Sequence, residues 1–299
     1  MNQNKQNLIG ISFDFDSIDS HLKGYNICDA SPCNAHYRIA LPRILKLLDK
    51  FNAKATFFLI AQELSLHPES AKLILESGHE IASHSLSHPV PFQNINPEQL
   101  HSEIFLSKQI LEEISGQPVI GFRAPSWDAN PFLLSKIAQA GYQYDASTFP
   151  SWLMFLYRWK IAKLSNSENS SILRQPIKQM FSSVKPHRLV FDKKALIEIP
   201  ITTAPFIGVP YYHTMKFVLP SFLFNLTHQF VTTRTYPIHY VFHAADFLSI
   251  RDDSLDPRID RHPGMRYCLA DKLSIAENAL NRLKSHGSLV SLKSISSFF

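Results

Sequence analysis

Short, almost uninterrupted apolar runs recur along this chain, and stretches with helical spacing of their apolar residues separate them. The runs are Leu8–Phe15, "KATFFLIA" (54–61), "HEIASHS" (79–85), "VIGFRAPS" (119–126), "YQYDAS" (142–147), "LIEIPIT" (196–202) and "IHYVFHAADF" (238–247). A strand that is apolar on both faces must be covered on both, which favours a parallel sheet flanked by helices. The intervening segments supply those helices. One spans about Tyr37 to Phe51, with Ile39, Ile44, Leu45, Leu47 and Leu48 at helical spacing. Pro68 opens a second to about Ser77, Pro97 a third through Ile114, and 131–140 and 267–286 follow. Residues 17–36 read as a polar loop. The alternation predicts an α/β fold whose sheet can close into a barrel. In such folds the chemistry gathers at the carboxyl ends of the strands. Asp14, Asp16, His84, Arg123, Asp145 and His243 all lie at or just after such an end.

With 299 residues, 45% of them hydrophobic, the chain can bury a full core in one large domain or two small ones. The first residues, MNQNKQN, lack the features of a secretory signal, and the longest apolar candidates for a span are cut by Pro220 or by Arg158 and Lys160. Cys28, Cys33 and Cys268 make neither a disulfide framework nor a CxxC site, so a reducing, cytoplasmic setting is expected. The net charge of +5 is uneven: residues 149–231 carry ten Lys/Arg against three Asp/Glu, and the remainder 20 against 22. Charge alone would admit nucleic acid, but no nucleic-acid-binding motif accompanies it, and none is expected as a partner.

"FDFD" (13–16) sets Asp14 and Asp16 on one face of a buried strand, where like charges repel unless compensated. "HSLSH" supplies His84 and His88 four residues apart, a spacing that can clamp a divalent ion. The neighbouring "HEIAS" is not the zinc-protease motif, because Ser83 stands where the second histidine would be. A carboxylate would complete three ligands and leave one position open for water. One aspartate of the pair would then bind metal and the other accept a proton.

In this combination the chain resembles the polysaccharide deacetylase family, also called carbohydrate esterase family four or the NodB-homology domain. "SFDFD" resembles the family's opening T-F-D-D-G block, "HSLSH" its H-[S/T]-x-x-H block and "RAPSW" (123–127) its R-x-P-x-[W/F/Y] block. "YDAS" (144–147) and "VFHAADF" (241–247) resemble the fourth and fifth, and the five occur in order. The resemblance implies a distorted (β/α) barrel of mostly parallel strands and a metal-dependent hydrolase of amide bonds. It implies Asp14 as general base, with Asp16, His84 and His88 holding a divalent metal, zinc by preference. Arg123 would steady Asp14, Asp145 would orient and charge His243 as general acid, and Trp127 would wall the substrate groove. Because the opening motif is D-x-D rather than two adjacent aspartates, the roles of Asp14 and Asp16 can be exchanged. His239 is the rival acid, and Trp127 can equally be core.

The family's relatives on chitin and peptidoglycan are often exported. Without a signal, the expected substrate is an N-acetylated or N-formylated amino sugar carried on a lipid at the cytoplasmic face of the membrane. The whole chain, 1–299, is expected to be one catalytic domain with an apolar, basic insertion at 149–231. Within it "FPSWLMFLYRWKIAKL" (149–164) and "FVLPSFLFNL" (217–226) have the make-up of a membrane-interface element. An inserted subdomain packed on the barrel, or a dimer surface, is the alternative. The rival functions are a soluble amidase for a small cyclic or linear amide and a non-catalytic lipid-binding protein.

Overall fold

All seven residues of the first strand, β1 (Leu8–Asp14), are buried. In the computed structural model, which describes residues 8–90, 92, 95–153, 182–204 and 208–299, β1 is the hub of a nine-stranded sheet. It pairs in parallel with β2 (Ala55–Leu59), with β8 (Ile238–His243) and, at its first residues, with β9 (Ser288–Val290). The sheet continues from β2 through β3 (Glu80–Ser83), β4 (Gly121–Phe122) and β5 (Tyr144–Asp145) to β7 (Lys194–Glu198), all parallel. β6 (His187–Phe191) runs antiparallel to β7 and forms an edge hairpin with it. The strand order is β6-β7-β5-β4-β3-β2-β1-β8.

Between β7 and β8 an irregular segment replaces a ladder. Thr202 N–H donates to the His239 carbonyl at 3.4 Å, and His239 N–H to Thr202 Oγ1 at 2.9 Å. Further along, His213 N–H donates to the Val241 carbonyl at 2.9 Å. This is the distortion of the expected barrel: the sheet curls, and non-strand backbone covers its last gap.

Strand alternation separates two packing faces. Ile9, Ile11 and Phe13 face the helices and join the main core, where Phe13 stacks between Phe57 and Phe242 at 5.0 and 5.2 Å. Leu8 faces inward with Phe58, Ala82, Ile120, Tyr144 and Ile199. Each such side chain contributes about 1.5–3 kcal/mol on burial. The helix Leu292–Ser296 plugs the floor of this interior. A Cβ on Gly10 would come within 2.6 Å of Leu292 and 2.7 Å of Ile295, so only glycine admits the plug. The first N–H groups of that helix, left without intrahelical acceptors, donate instead to Thr56 Oγ1 and Glu80 Oε2 at 2.8 and 2.9 Å.

Most helices begin and end close to expectation. The helix α1 (Ile18–Gly24) falls where a polar loop is expected; Ser17 caps it by accepting from Ser20 N–H. A π-helical turn, His36–Ala40, leads into α2 (Leu41–Lys50). Short α3 (Ala61–Ser65) precedes α4 (Pro68–Glu76). The helix expected from Pro97 to Ile114 is broken by a second π-helical turn, Ser102–Leu106, between α5 (Pro97–His101) and α6 (Ser107–Ser115). α7 (Pro131–Gln139) is capped by Asn130, and a long helix, Leu269–Lys284, packs on β9 and on the turn Ala244–Phe247 that follows β8. Among the described residues no helix is long and apolar enough to cross a membrane. The expected interfacial run 149–164 falls mostly on residues 154–181, outside those described, while β6, β7 and the helix Ser221–Thr232 occupy other parts of 149–231.

Candidate active site

Just beyond β1 the ladder continues for one more bond, Phe15 N–H to the Phe58 carbonyl at 3.1 Å, and this carries Asp16 to the rim. His84 is placed in the same way, by its N–H bonding to the Leu59 carbonyl at 2.8 Å. The loop that follows turns sharply, with Ser85 and His88 in the left-handed region at φ 72° and 58°. Such backbone costs roughly 1–2 kcal/mol per residue and needs external support. Buried Glu103 gives it: its carboxylate accepts from Leu86 N–H, Ser87 N–H and Ser87 Oγ–H at 2.9, 2.9 and 2.5 Å. The sequence reading missed Glu103, whose only signal is a lone acid amid the apolar residues of "SEIFLSK".

Asp16 Oδ1 lies 3.3 Å from His84 Nε2 and 3.5 Å from His88 Nε2, and candidate ligand atoms of the three residues all fall within 4.8 Å of one another. Ligands about 2.0–2.2 Å from a tetrahedral zinc ion stand roughly 3.3–3.6 Å apart. The two carboxylate–imidazole spacings therefore match those of ligands around a small divalent ion. Two further observations agree. Asp16 Oδ1 is buried without a hydrogen bond of good geometry, and His84 Nδ1–H donates to the Arg123 carbonyl at 2.8 Å, which leaves Nε2 as the lone-pair side. Burial alone would raise the Asp16 carboxyl, but His88 and His84 outweigh it and hold it well below its ordinary value. Among the described residues no other group of three such side chains converges in this way.

Asp14 belongs to a second constellation. Arg123 is fully buried, its guanidinium 4.0 Å from the centre of the Phe58 ring. One amino group donates to Asp14 Oδ1, the other to Ser12 Oγ at 3.0 Å and to His239 Nε2 at 2.8 Å, and Nε–H reaches the Ala146 carbonyl at 3.1 Å. Every guanidinium nitrogen is thereby used. His239 holds its own Nδ1–H toward the Pro200 carbonyl at 3.3 Å and offers Nε2 as an acceptor. Burial, and then the charge of Arg123, push its pKa well below the ordinary value. His239 is thus a neutral acceptor that fixes Arg123, which removes it as the rival acid.

His243 ends β8 in register with Asp14, its Nε2 3.8 Å from Asp14 Oδ2. Its Nδ1 faces Thr214 Oγ1 at 3.2 Å and Asp246 Oδ2 at 4.0 Å, and the same Asp246 oxygen accepts the His243 N–H at 2.8 Å. This corrects the expected pairing of His243 with Asp145. Tyr144 takes the inward position on β5, so alternation turns Asp145 to the helix side beside Glu198, its register partner. There Asp145 accepts from Ser147 N–H and Oγ–H, both at 2.8 Å. Burial, then mutual repulsion, raise Glu198 well above its ordinary value, and burial raises Asp145 as well. Asp246 is the carboxylate beside His243, and the sequence held it in plain view three residues further on. Trp127 stands edge-on to the His243 ring at 5.7 Å and stacks on Phe149 at 5.3 Å, so it is both buried and a wall of this site. Ser126 and Trp127 hold successive left-handed backbone angles, φ 55° and 54°, to put it there.

Two histidines were also missed. His21, on α1, lies with its ring 4.4 Å from that of His262 and 6.4 Å from that of His243.

With this geometry in hand, comparison with known proteins is specific. Residues 27–144 match the polysaccharide deacetylase family, a span that holds "HSLSH" and "RAPSW". A peptidoglycan deacetylase of Helicobacter pylori is 26% identical over 148 residues, covering 48% of this chain and 50% of that one. The chain spans about half the length of the curated relatives it matches. Among solved structures, a candidate polysaccharide deacetylase of Mycobacterium smegmatis superposes with a TM-score of 0.65 at 19% identity, covering 100% of this chain and 91% of the other. The PuuE allantoinase gives 0.61 at 15% identity, over 99% and 91%. At such identities these two likenesses speak for the fold. Residues 27–144 are thus similar to the polysaccharide deacetylase family, and the solved structures share the fold of the chain as a whole.

Proposed function

We propose that this protein is a metal-dependent hydrolase that removes the N-acyl group of an amino sugar in a polysaccharide or glycolipid. The observation that carries the reading is the junction of two sets at one end of the barrel. Asp16, His84 and His88 converge there, beside an Asp14–His243 pair 3.8 Å apart. Asp16, His84 and His88 would hold the ion, and when bound it would supply Lewis acidity that acidifies water and polarises a carbonyl. Asp14, paired to Arg123, takes the proton of the attacking water at its carboxylate. His243 Nε2 then delivers a proton to the departing amine, while Thr214 and Asp246 hold the ring from its Nδ1 side. The curated relative from Helicobacter pylori, a peptidoglycan deacetylase, supports an amino-sugar polymer as the substrate class.

The finer reading is a lipid-linked sugar presented at the cytoplasmic membrane surface, with zinc as the metal. Between Glu198 and Asp246 the sequence holds no carboxylate. The helix Ser221–Thr232, in that stretch, exposes Phe222, Leu226 and Phe230 at 74, 41 and 43%. They recur every four residues, forming an apolar stripe on the exposed side of the helix, as an interfacial helix requires. Two assays test the proposal. Zinc-loaded protein should release acetate or formate from an N-acyl amino sugar, and preference for a small cyclic amide would overturn it. Phe222, Leu226 and Phe230 replaced together by Ser should lose salt-sensitive binding to anionic vesicles, and unchanged binding would remove the membrane from the proposal.

A further inference from the structure

His21 and His262 border the reaction centre, and the chemistry above does not use them. One stands on α1, the other directly after the short turn Pro257–Arg261, and these two elements pack on each other. Nε2 of each ring is buried and has no hydrogen-bond partner. Buried polar atoms nearly always have one, so each of these edges needs a partner that the protein does not supply. Burial pushes His21 down to about 4 and His262 well below its ordinary value, which keeps both rings neutral near pH 7. The charges that act on His21 are those of the site itself, Asp16, His243, His88 and Asp246. On His262 they include His21, His243 and Asp16. Trp127 and Tyr212 pack on His243 at 5.7 and 6.2 Å. The acid therefore has an apolar flank and an imidazole flank.

We propose that His21 and His262 form a subsite for a neutral hydroxyl group of the sugar, next to the N-acyl group that is cleaved. This rests on the proposed reaction for the identity of the ligand. A hydroxyl both donates and accepts, so it can satisfy an imidazole edge in either tautomer. A carboxylate only accepts and would favour protonated rings, which burial disfavours. The pair thereby selects hydroxylated amides over bare ones, because a hydroxyl-free ligand leaves both buried nitrogens unsatisfied.

The test uses the zinc-loaded Asp14→Asn protein, which should bind without turnover, with two probes. These are the N-acetylglucosamine tetramer and N-cyclohexylacetamide, an amide without hydroxyls. His262→Leu should weaken tetramer binding about 10-fold and the bare amide less than about 2-fold. His262→Gln, of similar volume with a polar end, should recover most of the loss, and zinc content should stay the same in all three proteins. His21→Leu should repeat the pattern. Equal weakening of both probes, no weakening, identical behaviour of the Leu and Gln variants, or a parent protein that does not bind the tetramer would each overturn the subsite. Acetate release by the unsubstituted enzyme is measured alongside. A protein that binds with this dependence but releases no acetate keeps the subsite and loses the proposed reaction.

Discussion

The two halves of the barrel hold their functional side chains by different means. In the first, backbone ladders position all but His88: Phe15, His84 and Arg123 each donate an N–H across to the neighbouring strand, at 3.1, 2.8 and 2.9 Å. Asp16, His84 and Arg123 are therefore fixed by the regular sheet. In the second half, β8 borders irregular backbone, and His243 is set by Thr214, Asp246 and the rings of Trp127 and Tyr212. A metal site tolerates little positional error, and regular sheet supplies that accuracy. A wall that must fit a particular ligand varies more cheaply when side chains, not ladders, define it. That difference can be broken or sharpened experimentally.

The largest effect belongs to the ladder-fixed half. Asp16→Ala and His84→Ala should each drop bound metal from about one per chain to background, with activity following. Elemental analysis that finds full occupancy in either variant would dissolve the distinction between the halves. Asp14→Asn comes next. It should keep its metal and lose about 10²–10⁴ in turnover, whereas the reverse pattern would exchange the roles of the two aspartates.

In the side-chain-fixed half, Asp246→Asn should lower kcat about 10²-fold with metal retained and with an altered acidic or basic limb in the pH–rate profile. Asp145→Asn should instead act on stability, since its contacts are Ser147 and Glu198. If Asp145→Asn proved the more damaging to kcat, the correction made from the geometry would be reversed.

The smallest effect is on acid stability. His213 packs on Phe242 at 4.5 Å, and burial pushes its pKa down to about 4. The unfolded chain takes up that proton below about pH 6.5. Between these values the unfolded state binds more protons, so stability falls as pH drops from about 6.5 to 4, by up to ~3 kcal/mol at this site, and the loss levels off below. Urea unfolding of the metal-free protein should show a shallower decline for His213→Gln than for the parent. Parallel curves would mean that the imidazole is not held neutral.

How much of this was legible in the sequence divides along the same line. The parallel sheet and the ends of its strands followed from apolar runs, because ladders translate sequence position into place. Spacing suggested the pair His84 and His88, whereas the choice of Asp16 as their partner came from the family resemblance. Asp145 misled because Tyr144 could have taken either face of a two-residue strand, and only the packing inside the barrel decides. His21 was hidden by "SIDSHLKG", too short and polar to announce a helix without its Ser17 cap in view. His262, Thr214 and Glu103 lie in irregular or interrupted segments, where no periodicity points to a partner.

The pairing of β1 with β8 has a consequence for the order in which the protein comes into being. Asp14 and His243 stand in register across adjacent strands, yet more than two hundred residues of chain separate them. During synthesis at about 5–20 residues per second, Asp16, His84, His88 and Arg123 leave the ribosome well before β8 exists. A nascent chain can therefore bring Asp16, His84 and His88 together early, while His243 is added only with the last quarter of the chain. The floor plug under Gly10 comes later still. Completion of the candidate site is thus tied to completion of the barrel: a half-made protein carries Asp14 without the imidazole that stands opposite it.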